Sequence, residues 1–251
     1  MKTIYLMTLF LLGNSLAVHA QTNSRTEAFA QLPDWRGVWI AEGFEPGISG
    51  FAETLGTPDA KPHPLVDPQA PWSEEGRKGL AAMFGNQAAR KAAGWGFPMM
   101  MKGPAPLQFL ITPEETLIVN IYQEVRHIYT DGRAHPPEED RWVTTWGDSI
   151  GRWEGDTLVI DTISVREPVR FFQMSPPLSD RAHYVERLRM TAPDYIEGEL
   201  TIEDAVSLTK PWVVKTAYRR TPNMDRLVQD TFDNDRSEVE DGAFTIAPAA
   251  P

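Results

Sequence analysis

The chain contains no cysteine, and that absence removes disulfide staples, thiolate metal sites and a thiol nucleophile together. Stability has to come from an ordinary apolar core. Basic charge is scarce: 24 Lys and Arg stand against 35 Asp and Glu, a formal net charge of -11. A surface of that sign repels phosphate, so nucleic acid is not an expected partner. Long hydrophobic runs are missing as well. The longest apolar stretch, Ile4 to Leu12, falls short of the about 20 residues that cross a bilayer, so no membrane span is expected. No G-x-S-x-G elbow, G-x-G-x-x-G turn or phosphate-binding loop occurs, which leaves no motif for a serine nucleophile or a nucleotide. The expectation is a site with no cofactor and no metal.

What is present begins with a targeting pattern. Residues 1–20 carry Lys2, then the apolar run, then small residues with Val18 and Ala20 placed for cleavage, the pattern of a secretory signal peptide. The mature chain is expected to start near Gln21, without a lipid anchor, in the periplasm or outside the cell. Proline is abundant, 21 residues against 18 glycines, so much of the chain should be loop.

The pattern along the chain predicts one domain over 21–222 and an acidic, disordered tail over 223–251. Residues 21–33 are polar and expected to be loose. Trp35, Val38 and Trp39 mark a first strand, and residues 43–72 read as a long Pro/Gly-rich loop. Ser73 followed by Glu74 and Glu75 is an N-cap with acids in the first turn, predicting a flanking helix over about 73–93 with Leu80, Met83, Phe84 and Gln87 on one stripe. From Leu107 onward the period changes to strands: LQFLI, TLIVNIYQEVRHIYT, GDSIGRW, TLVIDTI, AHYVERLRM, YIEGELTIED and PWVVKTAYRR, joined by short turns. The expected fold is mainly β, an antiparallel meander closing into a barrel.

Strand alternation assigns faces. In YIEGELTIED, Ile196, Gly198, Leu200 and Ile202 share one side, and Asp204 follows on it. In AHYVERLRM, Glu186 shares the side of Tyr184, Leu188 and Met190. Taken as one strand, TLIVNIYQEVRHIYT groups Leu117, Val119, Ile121, Val125, His127 and Tyr129, which predicts an inward His127.

The GVW string at 37–39 resembles the G-x-W of lipocalin-like (calycin) barrels. That resemblance implies a Trp packed across the closed end and covered by a basic residue of the last strand, Arg220 in preference to Arg219. The segments IYTDGRAHP, WGDSIGRWEGDTLVIDT, HYVERLRM and TIEDAVSLTKPW also resemble a group of secreted bacterial proteins of unassigned function, over roughly residues 105–220. This second resemblance implies a shared fold and an extracytoplasmic place, and no reaction.

His127, Glu186 and Asp204, all assigned inward, form the expected general acid/base set, with Tyr129, Trp146, Trp153, Tyr184 and Trp212 as the expected pocket wall. The alternatives are a buried, satisfied His127 and an ion pair between Glu186 and Arg126, Arg187 or Arg219. His183 and Glu186 are spaced H-x-x-E, but three residues along a strand reverses the face. His127, Asp131 and His135 bracket an Asp-Gly turn and offer a metal set, against which fixed turn geometry is simpler. Three functions remain open. The first is a cofactor-independent lyase, hydratase, isomerase or cyclase acting on a small hydrophobic molecule in a barrel pocket. The second is a carrier of such a molecule, and the third a filled barrel that meets a protein partner. Oligomeric state leaves no mark in the sequence.

Overall fold

A ring with an odd number of strands cannot alternate direction all the way round, and this closed barrel has nine. The computed structural model describes residues 25–42, 70–85, 96–103, 105–166, 178–224, 226–227, 237–240 and 243–246. The barrel strands are β1 (Trp39–Ala41), β2 (Leu107–Ile111), β3 (Glu115–Asn120), β4 (Val125–Tyr129), β5 (Asp148–Glu154), β6 (Thr157–Ile163), β7 (His183–Ala192), β8 (Tyr195–Glu203) and β9 (Trp212–Arg220). They pair in sequence order, and β9 closes on β1. The mainly β barrel expected from the sequence is observed. The pure meander is not, because β4 and β5 run parallel at Tyr129 and Ile150.

That parallel pair has a structural consequence. Antiparallel neighbours connect through a tight turn, whereas parallel neighbours need a long crossover from one end of the barrel to the other. Residues 130–147 are that crossover. The Asp131-Gly132 turn opens it: Asp131 accepts the Arg133 backbone N–H at 3.1 Å while the chain turns away. A second departure lies between β3 and β4, expected as one strand. Asn120 Oδ1 accepts the N–H groups of Tyr122 and Glu124 at 2.9 and 3.1 Å, and Gln123 takes a φ of 62°. A turn without Gly or Pro gave no local signal.

The interior is filled. Strand side chains such as Ile118, Ile128, Leu158, Leu188 and Ile196 meet a segment that enters the barrel, residues 96–103, with a short helix at Met99–Lys102. Phe97, Met99, Met100 and Met101 are all 2% exposed or less. Phe97 packs edge-on to Tyr184 with ring centroids 5.0 Å apart, and Tyr218 donates to the Met101 carbonyl at 2.9 Å. At the end where β1 begins, Trp39 Nε1 donates to the Trp35 carbonyl at 2.9 Å. Arg220 lies 4.7 Å from the Trp39 ring centre, whereas Arg219 points outward to Glu42 at 2.8 Å.

The flanking helix α1 (Glu74–Gly85) is capped as expected: Ser73 Oγ accepts the Gly76 N–H at 3.0 Å and donates to the Val206 carbonyl at 2.6 Å. The side chains of Leu80, Met83 and Phe84, together with Gln87, the continuation to Ala93, the signal peptide and most of the 43–72 loop, fall outside the described residues. Residues 25–29, expected to be loose, are helical. In the tail expected to be disordered, β10 (Ser237–Glu240) pairs with β11 (Ala243–Ile246), so two short segments around Asp241-Gly242 carry a hairpin pattern that the acidic composition obscured. Among the described residues, no helix is long and apolar enough to cross a membrane.

Candidate functional site

The three residues expected to form an acid/base set are not brought together. Glu186 does face inward and is 3% exposed, but its Oε2 accepts Arg126 Nη2 at 2.5 Å. Asp204 is 4% exposed at the end of β8, where it ties down the chain. Its carboxylate accepts Ser179 N at 2.7 Å and Oγ at 2.9 Å, and the N–H groups of Val206 and Ser207 at 3.0 and 3.2 Å. Burial disfavours the Asp204 charge, but those four hydrogen bonds outweigh it and hold the carboxyl below its ordinary range.

His127 faces outward, which corrects the parity assignment. Its side chain is 53% exposed, with Nδ1 2.7 Å from Glu115 Oε1. Thr116, Ile118, Asn120, Arg126 and Ile128 point inward instead. Apolarity misled here because the inner stripe carries the polar groups of a buried network, while the outer one holds Leu117 and Val119. Of the expected pocket residues, Tyr129 is outside, stacked 6.3 Å from His127 and under the Arg133 guanidinium at 3.9 Å. Tyr184 and Trp212 are buried and Trp153 faces in, 5.6 Å from Trp35, while half-buried Trp146 packs against the core. Burial pushes the Tyr184 and Tyr218 hydroxyls far above the ordinary phenol range, so both stay neutral.

The concentration of titratable groups lies on the outer wall. The crossover runs over β5 and β6 and brings His135 between two outward carboxylates, Asp148 at the start of β5 and Asp161 on β6. His135 Nδ1 is bonded to Asp148 Oδ1, and Nε2 lies 3.0 Å from Asp161 Oδ1. The same Asp161 oxygen is 2.9 Å from Nε2 of His183, and His183 Nδ1 is 3.5 Å from Glu203 Oε2, directly across on β8. Five side chains thus form one chain, Asp148, His135, Asp161, His183 and Glu203, with Asp148 30% exposed. His135 is 15% exposed, Asp161 32%, His183 36% and Glu203 58%. Of the two imidazoles, His135 is the more enclosed and His183 the more open.

Such an array has the geometry for proton exchange between its members. Both Nε2 atoms face Asp161 Oδ1, so the carboxylate can accept a proton from a protonated imidazole on one side and give one to the neutral imidazole on the other, while both rings stay in place. The metal set weighed from the sequence does not form: Asp131 is engaged by Arg133 at 2.6 Å, which holds its carboxyl below the ordinary range, and His127 and His135 have separate partners. Among the described residues, no group of three or more His, Asp or Glu is arranged to hold a metal ion.

Sequence reasoning missed this cluster because its members are spread from 135 to 203 and meet diagonally. One signal did point to them. The strings IYTDGRAHP, WGDSIGRWEGDTLVIDT, HYVERLRM and TIEDAVSLTKPW, singled out in the sequence, supply every member: His135, Asp148 with Asp161, His183, and Glu203. No family model matches the chain, and no curated protein matches it.

Proposed function

We propose that the protein is an extracytoplasmic, cofactor-independent acid/base enzyme, of the lyase, hydratase or isomerase class, working at the outer wall of the barrel and not inside it. The observation that carries this reading is the pair of imidazoles hydrogen-bonded to one oxygen of Asp161. His183, at the open end, is the group that exchanges a proton with substrate. Asp161 orients it, and His135 with Asp148 relays charge behind it. The signal-peptide pattern of residues 1–20 supports the compartment, and the covered Trp39 supports kinship with calycin-like barrels.

The test does not require the substrate to be identified first. Purified protein in D₂O is screened against a panel of small carbonyl, hydroxy and unsaturated compounds for deuterium uptake at carbon. His183→Gln and His135→Gln are run beside it. The expected result is exchange by the natural protein that drops on the order of 10² or more in His183→Gln. Equal exchange in all three proteins, or none above buffer, counts against the reading.

A second reading has its own observation. A cavity of about 330 Å³ at the Trp35 end is lined mostly by apolar side chains, among them Phe29, Leu32, Trp35, Phe109 and Ile111. It suits a small hydrophobic ligand held without chemistry. A carrier binds panel compounds without deuterium uptake, so the same screen separates the two.

A further inference from the structure

Two polar networks lie back to back across the β5–β6 wall. Ser149 and Thr162 face inward directly opposite one another, with hydroxyls 2.8 Å apart. The residues that precede them, Asp148 and Asp161, face outward and hold His135 from both sides. Inside the barrel, Arg126 Nη2 donates to Thr162 Oγ1 at 2.9 Å, to Ser149 Oγ at 3.3 Å and to Glu186 Oε2 on β7 at 2.5 Å. The guanidinium also lies 3.9 Å from the Phe97 ring centre, and the Phe97 N–H donates to Thr145 O in the crossover at 3.1 Å.

A buried ion pair contributes little to stability beyond what well-packed apolar residues of similar volume supply. This one is not even complete, since Nε and Nη1 of Arg126 have no hydrogen-bond partner among the described residues. What the pair reaches is specific: one hydroxyl on each strand that presents an outer carboxylate, and the strand that begins with His183.

We propose that Arg126 and Glu186 are positioning residues for the outer site, clamping β5, β6 and β7 from inside in the register that sets Asp148, Asp161 and His183 around His135. The physical link is short. Inward and outward neighbours on a strand share a peptide unit, so a shift of Ser149 or Thr162 moves the adjacent carboxylate with it. Hydrogen bonds near 3 Å weaken within a few tenths of an ångström of displacement. The inference rests on the reading of the His135–Asp161–His183 cluster as the working site.

The test is nuclear magnetic resonance of the imidazole N–H groups in the full chain. Arg126→Met combined with Glu186→Leu removes both charges at similar volume. Ser149→Ala combined with Thr162→Val removes only the hydroxyl links. Leu107→Ala truncates the core away from the network and serves as the control. The expected result is a folded, cooperatively melting protein in each case, with His135 and His183 ring N–H groups exchanging with water on the order of tenfold faster in the two network variants and unchanged in the control. Should the charge-free variant not fold, the hydroxyl variant decides alone. Network variants that fold and keep natural ring signals overturn the proposal, as does a control that disturbs the rings equally. Responsive rings with no deuterium exchange in the substrate screen leave the clamp standing and remove the catalytic reading; the reverse result does the opposite.

Discussion

At the scale of the residue, Asp204 shows how a carboxylate assigned to catalysis becomes a staple. Four donors aim at it from Ser179, Val206 and Ser207. Its folded-state pKa is depressed, so its contribution is complete above the ordinary carboxyl value of about 3.9 and is lost as pH falls through the lower folded value. Asp204→Asn should therefore lower stability by roughly 1–3 kcal/mol at neutral pH, the range for hydrogen bonds to a charged group. Urea midpoints measured from pH 7 down to pH 3 should show the gap between the two proteins narrowing below about pH 4. A gap that stays constant over that range would mean that charge is not what the four donors recognise. His127 carries the opposite lesson: an imidazole on an apparently apolar stripe proved to be on the outer surface.

At the scale of the element, the crossover sets His135 on the outer wall between Asp148 and Asp161, and its last residue is under tight constraint. Gly147 precedes Asp148 with a φ of +68°, and a Cβ there would lie 2.5 Å from the Ile163 carbonyl oxygen. Gly155, in the β5–β6 turn, has a φ of +65° with nothing within 4 Å of its Cβ position. Both replacements by Ala incur the left-handed penalty of about 1–2 kcal/mol, but only Gly147→Ala also forces β6 and the crossover apart. Thermal unfolding should show Gly147→Ala as clearly the worse of the two. Equal melting temperatures would show that the crossover end is not seated against β6 as closely as described. The turns at 112–114, 155–156 and 205–210 were legible from composition, whereas the turn at 121–124 was not, because Asn120 supplies its geometry through a side chain.

At the scale of the whole molecule, the barrel is a solid body and not a vessel at the described residues. Met100 is 0% exposed within it, so Met100→Ala should cost about 2–5 kcal/mol and leave an apolar space able to admit a small hydrocarbon. Chemical denaturation with and without such a guest measures both. An unchanged stability would mean that segment 96–103 is not part of the packed interior. A filled barrel also explains why proton chemistry is sought outside: the interior polar groups are spent on one another, while the outer wall keeps two imidazoles and three carboxylates in contact with solvent.

Composition and period alone determined that this is a mainly β, cysteine-free, acidic chain, and they assigned the inward faces of β7 and of β8, where apolar and polar residues alternate without exception from Ile196 to Ile202. The likeness of GVW to the G-x-W of lipocalin-like barrels, and not period, implied Arg220 as the cover of Trp39, where it lies. Those features are local: each depends on residues one or two apart on the same strand. Only the tertiary structure decided that nine strands close the ring, that β4 and β5 are therefore parallel, and that the resulting crossover lays His135 against Asp148 and Asp161. The reason is that strand count, closure and the diagonal meeting of residues from 135 to 203 are properties of pairing between distant segments, and no period along the chain encodes them.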